Sequence, residues 1–185
     1  MTLIRLRVPL GFAFAAWYLV EAQPASPAFL AACAVLVALG CLLRSWAAGY
    51  LFKGKRVAVG GPYAYIRNPL YVGSFVIGVG FCIALWRRPV PIGALSLWVL
   101  FIVGFGMVYR AKTLAEEKEL TTNLGQPYQA YAAKVPPFLP VRGRIRDLGP
   151  QRFSWELYRR NREYQCILGS VAVLMLLFIK LYRGL

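Results

Sequence analysis

The sequence predicts an all-α integral membrane protein, a multi-helix bundle with about five transmembrane helices. Of its 185 residues, 59% are hydrophobic and 16% are charged, whereas a soluble domain has about a quarter charged residues and just under half apolar ones. Several runs without any charge approach the ~20 residues that cross a bilayer as a helix. The whole chain, residues 1–185, is therefore expected to form one membrane domain.

Five apolar segments are the predicted spans. They are Val8–Val20, Pro27–Leu43, Asn68–Trp86, Pro89–Tyr109 and Tyr164–Ile179. The last span extends to residues 163–183 if Lys180 and Arg183 snorkel to the interface. The first span also has features of a signal peptide, because Arg5 and Arg7 precede a short apolar run. We interpret it as a transmembrane helix.

The basic residues predict the orientation of these spans. With the N-terminus in the cytoplasm, eighteen of the 22 basic residues fall on the cytoplasmic side and four, Arg87, Arg88, Lys180 and Arg183, fall outside. Such an excess is typical of cytoplasmic loops. The net charge of +15 is therefore attributed to topology and to contact with anionic lipid rather than to nucleic-acid binding. The predicted localisation is a bacterial inner membrane, with the C-terminus outside.

The segments between and after the spans are predicted in turn. A charged helix continues from the fourth span and ends at a glycine near Asn123–Gly125. A short helix then begins with Pro127, and Val135-Pro136-Pro137 ends it as extended chain. Residues 141–162 are basic and aromatic, and they are expected to lie in the membrane interface.

The four cysteines lie in or beside apolar segments, without the spacing of metal ligands. They are Cys33, Cys41, Cys82 and Cys166. We interpret them as small buried hydrophobic residues. Because the chain also has no histidine, no metal site is predicted.

The stretch GGPYAYIRNPLYVG, residues 60–73, is unusual in so apolar a chain. Gly60 and Gly61 let the backbone approach a ligand closely, while Pro62 and Pro69 stiffen the path. Free backbone amides and tyrosine rings in this loop would suit a polar ligand with an aromatic base. The alternative is a helix-entry turn whose tyrosines lie at the membrane interface.

A pair of carboxylates, Glu116 and Glu117, is expected near this loop. Spans three and four form an antiparallel hairpin, so the loop before the one and the helix after the other meet at the cytoplasmic surface. The carboxylates would then face the same ligand. The alternative is a solvated helix face, on which Glu116 pairs with Lys112 four residues earlier.

Four motifs follow one another along the chain: GPYAYIRNPLYVG, AEEKEL, LGQPYQAY and VPPFLP. In order and spacing they resemble the isoprenylcysteine carboxyl methyltransferase family and its phospholipid methyltransferase relatives. The resemblance covers about residues 40–140. It implies an enzyme that holds S-adenosylmethionine in a pocket at the cytoplasmic ends of its helices and takes a lipophilic acceptor from the bilayer.

The resemblance also implies which residues are functional. The implied cofactor-binding residues are Tyr63, Arg67, Asn68, Pro69, Tyr71, Glu116, Glu117, Tyr128 and Tyr131. Glu117 would contact the ribose hydroxyls or the sulfonium side, and Arg110 would contact an anionic group of the cofactor or acceptor, so these two are the catalytic candidates. Asn68 stands where the family has a histidine. Its amide can donate and accept hydrogen bonds, but it cannot act as a general base.

Several functions agree with these residues. Carboxyl O-methylation of an isoprenoid-like or other lipidic acid is favoured, because a carboxylate of pKa ~4 is already ionised at neutral pH and needs no base. The alternatives are a phospholipid N-methyltransferase, a sterol-reductase-like enzyme that binds NADPH, and a non-catalytic lipid-binding membrane protein.

Overall fold

The computed structural model describes residues 13–52, 56–86, 90–139 and 151–183. Of these residues 77% are helical and none lies in a strand, which confirms the all-α prediction. The helices are α1 (residues 13–21), α2 (Pro27–Ala48), α3 (Pro69–Ile83), α4 (Ile92–Leu124), α5 (Gln126–Lys134), α6 (Trp155–Asn161) and α7 (Tyr164–Arg183), and a 3₁₀ turn at Gly61–Ala64 precedes α3.

Among the described residues, three helices, α2, α4 and α7, are long and apolar enough to cross a membrane. Large apolar side chains on their outer surfaces are more than half exposed, for example Leu42, Met107 and Met175. An extensive exposed apolar surface of this kind is suited to contact with lipid. The prediction of a membrane helix bundle is therefore confirmed.

Two of the five predicted spans do not correspond to a full-length membrane helix among the described residues. Helix α3 has 15 residues, which gives a length of about 22 Å at 1.5 Å per residue, less than the ~30 Å hydrocarbon core. It ends at Ile83, three residues before the predicted end at Trp86. The first predicted span, Val8–Val20, begins outside the described residues. The number of spans and their orientation stay predictions.

Helices α2 and α3 cross with their backbones in close contact. A Cβ atom added to Gly40 would lie 2.7 Å from the Gly73 carbonyl oxygen and 2.6 Å from Ile77 Cγ1. A Cβ atom added to Gly73 would lie 2.9 Å from the Gly40 carbonyl oxygen and 2.6 Å from Arg44 Cγ. Small residues allow such close helix packing in membranes. The crossing therefore holds Arg44 directly beside α3.

Gly40→Leu is expected to destabilise the protein, because the new side chain cannot fit between two backbones. Overpacking of this kind costs about 1–3 kcal/mol or more. The melting temperature in detergent should fall clearly. The matched control is Gly106→Leu on α4, where an added Cβ has nothing within 4 Å. Equal losses in the two variants would contradict the close crossing.

The buried core joins α1, α2, α4 and α7 through Tyr18, Val37, Leu97 and Leu177. The Tyr18 hydroxyl donates to the Phe81 carbonyl oxygen at 2.9 Å, which ties α1 to α3. Three of the cysteines are buried, Cys166 is half-buried, and all four are free thiols. Their interpretation as small buried residues is confirmed for Cys33, Cys41 and Cys82.

Helix α4 continues without a break from its apolar part into its charged part, over 33 residues. It ends at Leu124, and Gly125 has a φ of 57°, which favours glycine. Pro127 lies in the first turn of α5, and Val135 after it is extended. These three features confirm the predicted turn, which folds α5 back toward the loop before α3. Of the predicted interfacial segment 141–162, residues 141–150 lie outside the described chain.

Candidate functional site

A cavity lies where the end of α2, the loop before α3, the charged part of α4, and α5 meet. Its volume is about 620 Å³, within the range of about 300–1,000 Å³ that is typical of ligand pockets. All nine residues that were assigned to the cofactor pocket line it: Tyr63, Arg67, Asn68, Pro69, Tyr71, Glu116, Glu117, Tyr128 and Tyr131. Their roles in binding stay predictions, but the fold does bring them together.

Arg110 is exposed and does not belong to the cavity lining. The residues of α4 that do include Tyr109, Lys112, Glu116 and Leu120, whose spacing of three and four places them on one helix face. Arg110 lies about two turns before Glu117 on the same side of α4, but at its own level of the helix Tyr109 and Lys112 line the cavity instead. The placement does not support the implied contact between Arg110 and an anionic group in the cavity.

The loop before α3 is held by α5. Gly61 has a φ of 54° and begins the 3₁₀ turn in which Tyr63 is buried. The hydroxyl of Tyr131, from α5, donates to the Tyr63 carbonyl oxygen at 2.9 Å. This contact spans 68 residues of sequence, so the turn at Gly125 is needed to form it.

Tyr131→Phe is expected to destabilise the protein by about 1–3 kcal/mol, because it leaves the buried Tyr63 carbonyl oxygen without its donor. The melting temperature should fall even though the aromatic ring is kept. Tyr182→Phe, at an exposed position on α7, is the control. A Tyr131→Phe variant that melts like the unaltered protein would contradict the contact.

The chain after α5 pairs with the same loop. The backbone N–H of Arg67 donates to the Pro136 carbonyl oxygen at 2.8 Å, and that of Asn68 donates to the Pro137 carbonyl oxygen at 3.2 Å. The Asn68 side-chain amide donates to the same Pro137 oxygen at 3.1 Å. Asn68 therefore has a structural partner here, in addition to its place in the cavity lining.

Arg67 and Glu117 form an ion pair in the cavity lining. Arg67 Nη1 lies 2.8 Å from Glu117 Oε1, and both side chains are mostly buried. Even so, neither Arg67 Nε nor Glu117 Oε1 makes a hydrogen bond of good geometry with the described part of the chain. Buried polar atoms without such partners are costly. A polar ligand in the cavity would complete their hydrogen bonding.

Glu116 takes part in both alternatives that the sequence left open. It lines the cavity, and it also lies 3.8 Å from Lys112 Nζ, with both side chains nearly half exposed. Lys112 Nζ in turn lies 5.0 Å from the centre of the Tyr71 ring, within range of a cation–π contact. The predicted i,i+4 pair is formed, and it forms part of the cavity wall.

Three buried tyrosines in the cavity keep their protons at neutral pH. Burial raises the pKa of Tyr63 and of Tyr131 above the ordinary value. Burial also raises the pKa of Tyr128, and a hydrogen bond with Arg67 partly offsets this rise. Their hydroxyl groups are therefore hydrogen-bond donors rather than anions.

Two cavity residues, Arg44 and Glu163, were missed by the sequence analysis. Arg44 Nε and Nη2 each donate to a Glu163 carboxylate oxygen at 3.0 Å, and the side chains are 20% and 10% exposed. Arg44 Nη1 donates to the Leu70 carbonyl oxygen at 3.2 Å and to the Ser74 hydroxyl oxygen. The sequence signal for a functional Arg44 is its single charge near the end of an apolar helix. The sequence analysis used this charge only to predict the orientation of the spans.

Gln151, in the chain before α6, also holds the loop before α3 by hydrogen bonds. The Gln151 side-chain oxygen accepts from the N–H groups of Val59 and Gly60, both at 2.9 Å. The Gln151 amide nitrogen donates to the Tyr50 carbonyl oxygen at 2.7 Å. The expectation of free backbone amides for a ligand is therefore wrong at Gly60, because the Gln151 side chain already accepts from its N–H group.

The charges that line the cavity differ from those of the chain as a whole. Four of the seven acidic residues line it: Glu116, Glu117, Glu119 and Glu163. Four of the 22 basic residues line it: Arg44, Arg56, Arg67 and Lys112. In a chain of net charge +15, this lining carries no net formal charge. A cationic ligand would therefore meet less repulsion here than over the rest of the surface.

Two curated proteins are similar to parts of this chain. The nickel-cobalt-cadmium resistance protein NccN of Alcaligenes xylosoxydans xylosoxydans is 29% identical over 108 residues, which are 56% of this chain and 46% of NccN. The protein-S-isoprenylcysteine O-methyltransferase of Schizosaccharomyces pombe is 29% identical over 89 residues, which are 48% of this chain and 35% of that enzyme. The chain thus matches less than half the length of either relative. No protein-family model matches the chain, and no solved structure matches it with significance.

The two relatives have different named functions. Within the described residues, no three histidine, cysteine, aspartate or glutamate side chains are grouped so that they could hold a metal ion. The chain is a membrane-helix protein with distant similarity to both relatives.

Proposed function

We propose that the chain is an integral membrane methyltransferase that uses S-adenosylmethionine to methylate the carboxylate of a lipophilic acid. The observation that carries this proposal is the gathering of four of the seven acidic residues in one cavity of a basic chain. The cofactor has a sulfonium and an ammonium group, and nearby carboxylates stabilise positive charge. The distant similarity to an isoprenylcysteine O-methyltransferase supports the class of reaction.

The residues present fit this cofactor. Arg67 and Glu117 have buried polar atoms that lack hydrogen-bond partners, and they can receive the carboxylate and the ammonium or hydroxyl groups of the ligand. Tyr63, Tyr128 and Tyr131 provide aromatic rings and protonated hydroxyl groups beside which a purine base can pack. The volume of about 620 Å³ leaves room for the reacting end of a second molecule.

The cofactor, when bound, supplies a methyl group on an electrophilic sulfur. The contribution of the chain is to position the two reactants, because direct displacement requires the acceptor oxygen in line with the methyl group and about 3–3.5 Å away. The Arg67–Glu117 pair would hold the cofactor end. Tyr71 of α3 and Tyr109 of α4 also line the cavity, and they would exclude water from the acceptor.

Charge balance favours an acid over an amine as the acceptor. The described cavity lining has four positive and four negative groups, and the cofactor adds a single net positive charge. An ionised acid would neutralise that charge, whereas an ammonium group would double it in a partly desolvated site. In addition, the Asn68 amide bonds the Pro137 carbonyl oxygen and cannot remove a proton from an amine.

The pH dependence of the rate separates these two acceptors. Transfer to a carboxylic acid of pKa ~4 is expected to be nearly independent of pH from about 6 to 8, because the acid is already ionised. The measurement is the initial rate of radiolabelled methyl transfer to N-acetyl-S-farnesylcysteine and to phosphatidylethanolamine in vesicles. Efficient methylation of phosphatidylethanolamine, with a rate that rises steeply over this range, would contradict the choice of an acid.

Calorimetric titration of the purified protein tests the class of function directly. S-adenosylhomocysteine is expected to bind with one site per chain, and NADPH is not expected to bind. Binding of NADPH alone would instead favour a reductase-like enzyme. Binding of neither nucleotide, by a protein that is folded, would favour a non-catalytic role and overturn the proposal.

A further inference from the structure

The α6 segment, residues 151–161, is fastened to the chain that leaves α2. The Asn161 side-chain amide donates to the Leu51 carbonyl oxygen at 3.0 Å, and Leu51 lines the cavity. The Phe153 ring lies directly on Gly49, so that a Cβ atom added to this glycine would collide with the ring. The segment therefore covers the end of α2 and the start of the loop that follows it.

The same segment holds a second part of this loop. The Gln151 side-chain oxygen accepts from the N–H groups of Val59 and Gly60, both at 2.9 Å. The two residues before them, Val57 and Ala58, line the cavity. Movement of the α6 segment away from this position would therefore release part of the cavity wall.

The α6 segment lies where two candidate membrane spans end. Helix α2 ends at Ala48 and α7 begins at Tyr164, and both helices are long and apolar enough to cross a membrane. The segment contacts the chain directly after the first of these helices and leads into the second. It therefore lies at the boundary between the apolar spans and water, which is the level of the lipid headgroups.

The outer face of the α6 segment is basic. Arg152, Arg159 and Arg160 are exposed, and within the described residues no ion pair engages any of them. Glu156 is the one acidic residue of the segment, so its net formal charge is positive. A cluster of arginines beside a membrane span is attracted to anionic lipid headgroups.

Aromatic rings connect this face to the loop. Trp155 is 69% exposed, and its ring packs edge-on against Phe153 with the ring centres 5.0 Å apart. Phe153 in turn packs edge-on against Tyr50, with the ring centres 5.9 Å apart. Exposed tryptophan is favoured at the membrane interface. A contact that fixes Trp155 would therefore also fix the ring that covers the end of α2.

We propose that the outer face of the α6 segment binds the phosphate groups of anionic phospholipids, and that this contact holds the segment against the cavity loop. Arginine donates charge-assisted hydrogen bonds to phosphate, and the Trp155 ring would lie among the headgroups. Lipid that binds only the docked segment stabilises the docked state by mass action. The lipid thus acts on the cavity wall from outside, whichever molecule the cavity itself takes.

The test is hydrogen exchange of the Val59 and Gly60 amides, which report undocking because Gln151 accepts from both. The protein is placed in nanodiscs of phosphatidylcholine, or of phosphatidylcholine and phosphatidylglycerol in equal parts, and exchange is followed by mass spectrometry at single-residue resolution. Phosphatidylglycerol should slow the exchange about tenfold, the factor for a lipid at roughly ten times its dissociation constant. No slowing, or faster exchange because the lipid draws the segment off the loop, would overturn the proposal.

The double variant Arg159→Gln/Arg160→Gln should reduce this slowing to about twofold or less, because it removes two of the charges that attract the headgroups. In phosphatidylcholine alone it should exchange like the unaltered protein. Faster exchange there would mean that the arginines hold the loop without lipid, which would also overturn the proposal.

The matched control is Lys118→Gln/Lys134→Gln, which removes two positive charges from exposed positions on α4 and α5 and should keep the slowing. An equal loss in both double variants would show a general attraction of the basic chain to the membrane and would count against this surface. An equal slowing by soluble glycerol phosphate in phosphatidylcholine nanodiscs would show a phosphate site rather than a lipid surface. The experiment uses no methyl donor or acceptor, so failure of the proposed function leaves its outcome unchanged.

Discussion

Glu117→Gln is expected to weaken the binding of S-adenosylhomocysteine by roughly 10- to 100-fold. The carboxylate lines the cavity and carries a buried oxygen without a well-formed hydrogen bond in the described chain. A hydrogen bond to a charged group is worth about 1.5–3 kcal/mol, and about 1.4 kcal/mol corresponds to a tenfold change in affinity. The amide is of nearly the same size, so the change removes charge rather than volume. The measurement is calorimetric titration of each variant in detergent.

The control for this prediction is Glu156→Gln, which removes one negative charge at an exposed position of α6. It should leave the affinity within about twofold, because exposed charges are screened. Melting temperatures measured on the same samples establish that both variants are folded. Similar losses of affinity in the two variants would indicate a general effect of charge and would count against a site at Glu117.

Arg44→Ala and Glu163→Ala are each expected to destabilise the protein by about 3–5 kcal/mol, the typical cost of breaking a buried ion pair on one side. The partners are only 20% and 10% exposed, so water can do little to compensate the charge that remains. The pair also joins α2 to the chain that enters α7, which concentrates the effect at one helix contact. Thermal unfolding in detergent should show a large fall in the melting temperature of each variant.

The double variant Arg44→Ala/Glu163→Ala completes a thermodynamic cycle. It should lose less stability than the sum of the two single losses, because no unpaired charge is left in the buried site. A double variant that is as unstable as the sum of both single losses would mean that the two residues contribute independently. The ion pair would then not be the link between the two helices.

Much of the site could be predicted because its residues occur in short motifs. Tyr63, Arg67 and Tyr71 lie within one loop and one helix start, and Glu116 and Glu117 are adjacent on one helix. The glycine and proline that fold α5 back are also local signals, since Gly125 requires a positive φ and Pro127 favours a first helical turn. These signals act over a few residues, so an ordered set of motifs can indicate one pocket before any tertiary contact is known.

The errors have an equally physical origin. Arg110 is close to the acidic pair in sequence and lies on the same side of α4 as Glu117, about two turns before it. At its own level of the helix, however, Tyr109 and Lys112 line the cavity. The backbone amide of Gly60 was expected to be free, but Gln151 accepts from it and from the neighbouring Val59 amide. A side chain about ninety residues away cannot be matched to a backbone amide by any local pattern.

By itself the sequence determined an all-helical membrane protein, the turn between α4 and α5, and a set of nine residues that the fold brings to one cavity. The length of an apolar run, a glycine and a proline act on the local backbone, so predictions made from them do not require knowledge of the packing. Only the tertiary structure decided which charges meet. Arg44 and Glu163 are 119 residues apart. Arg44 is a single charge within an apolar helix, and Glu163 directly follows a basic run that ends at Arg162. Their pairing depends on the close crossing of α2 and α3 at Gly40 and Gly73 and on the return of the chain to α2, since a buried charge is stable only where the fold supplies its partner.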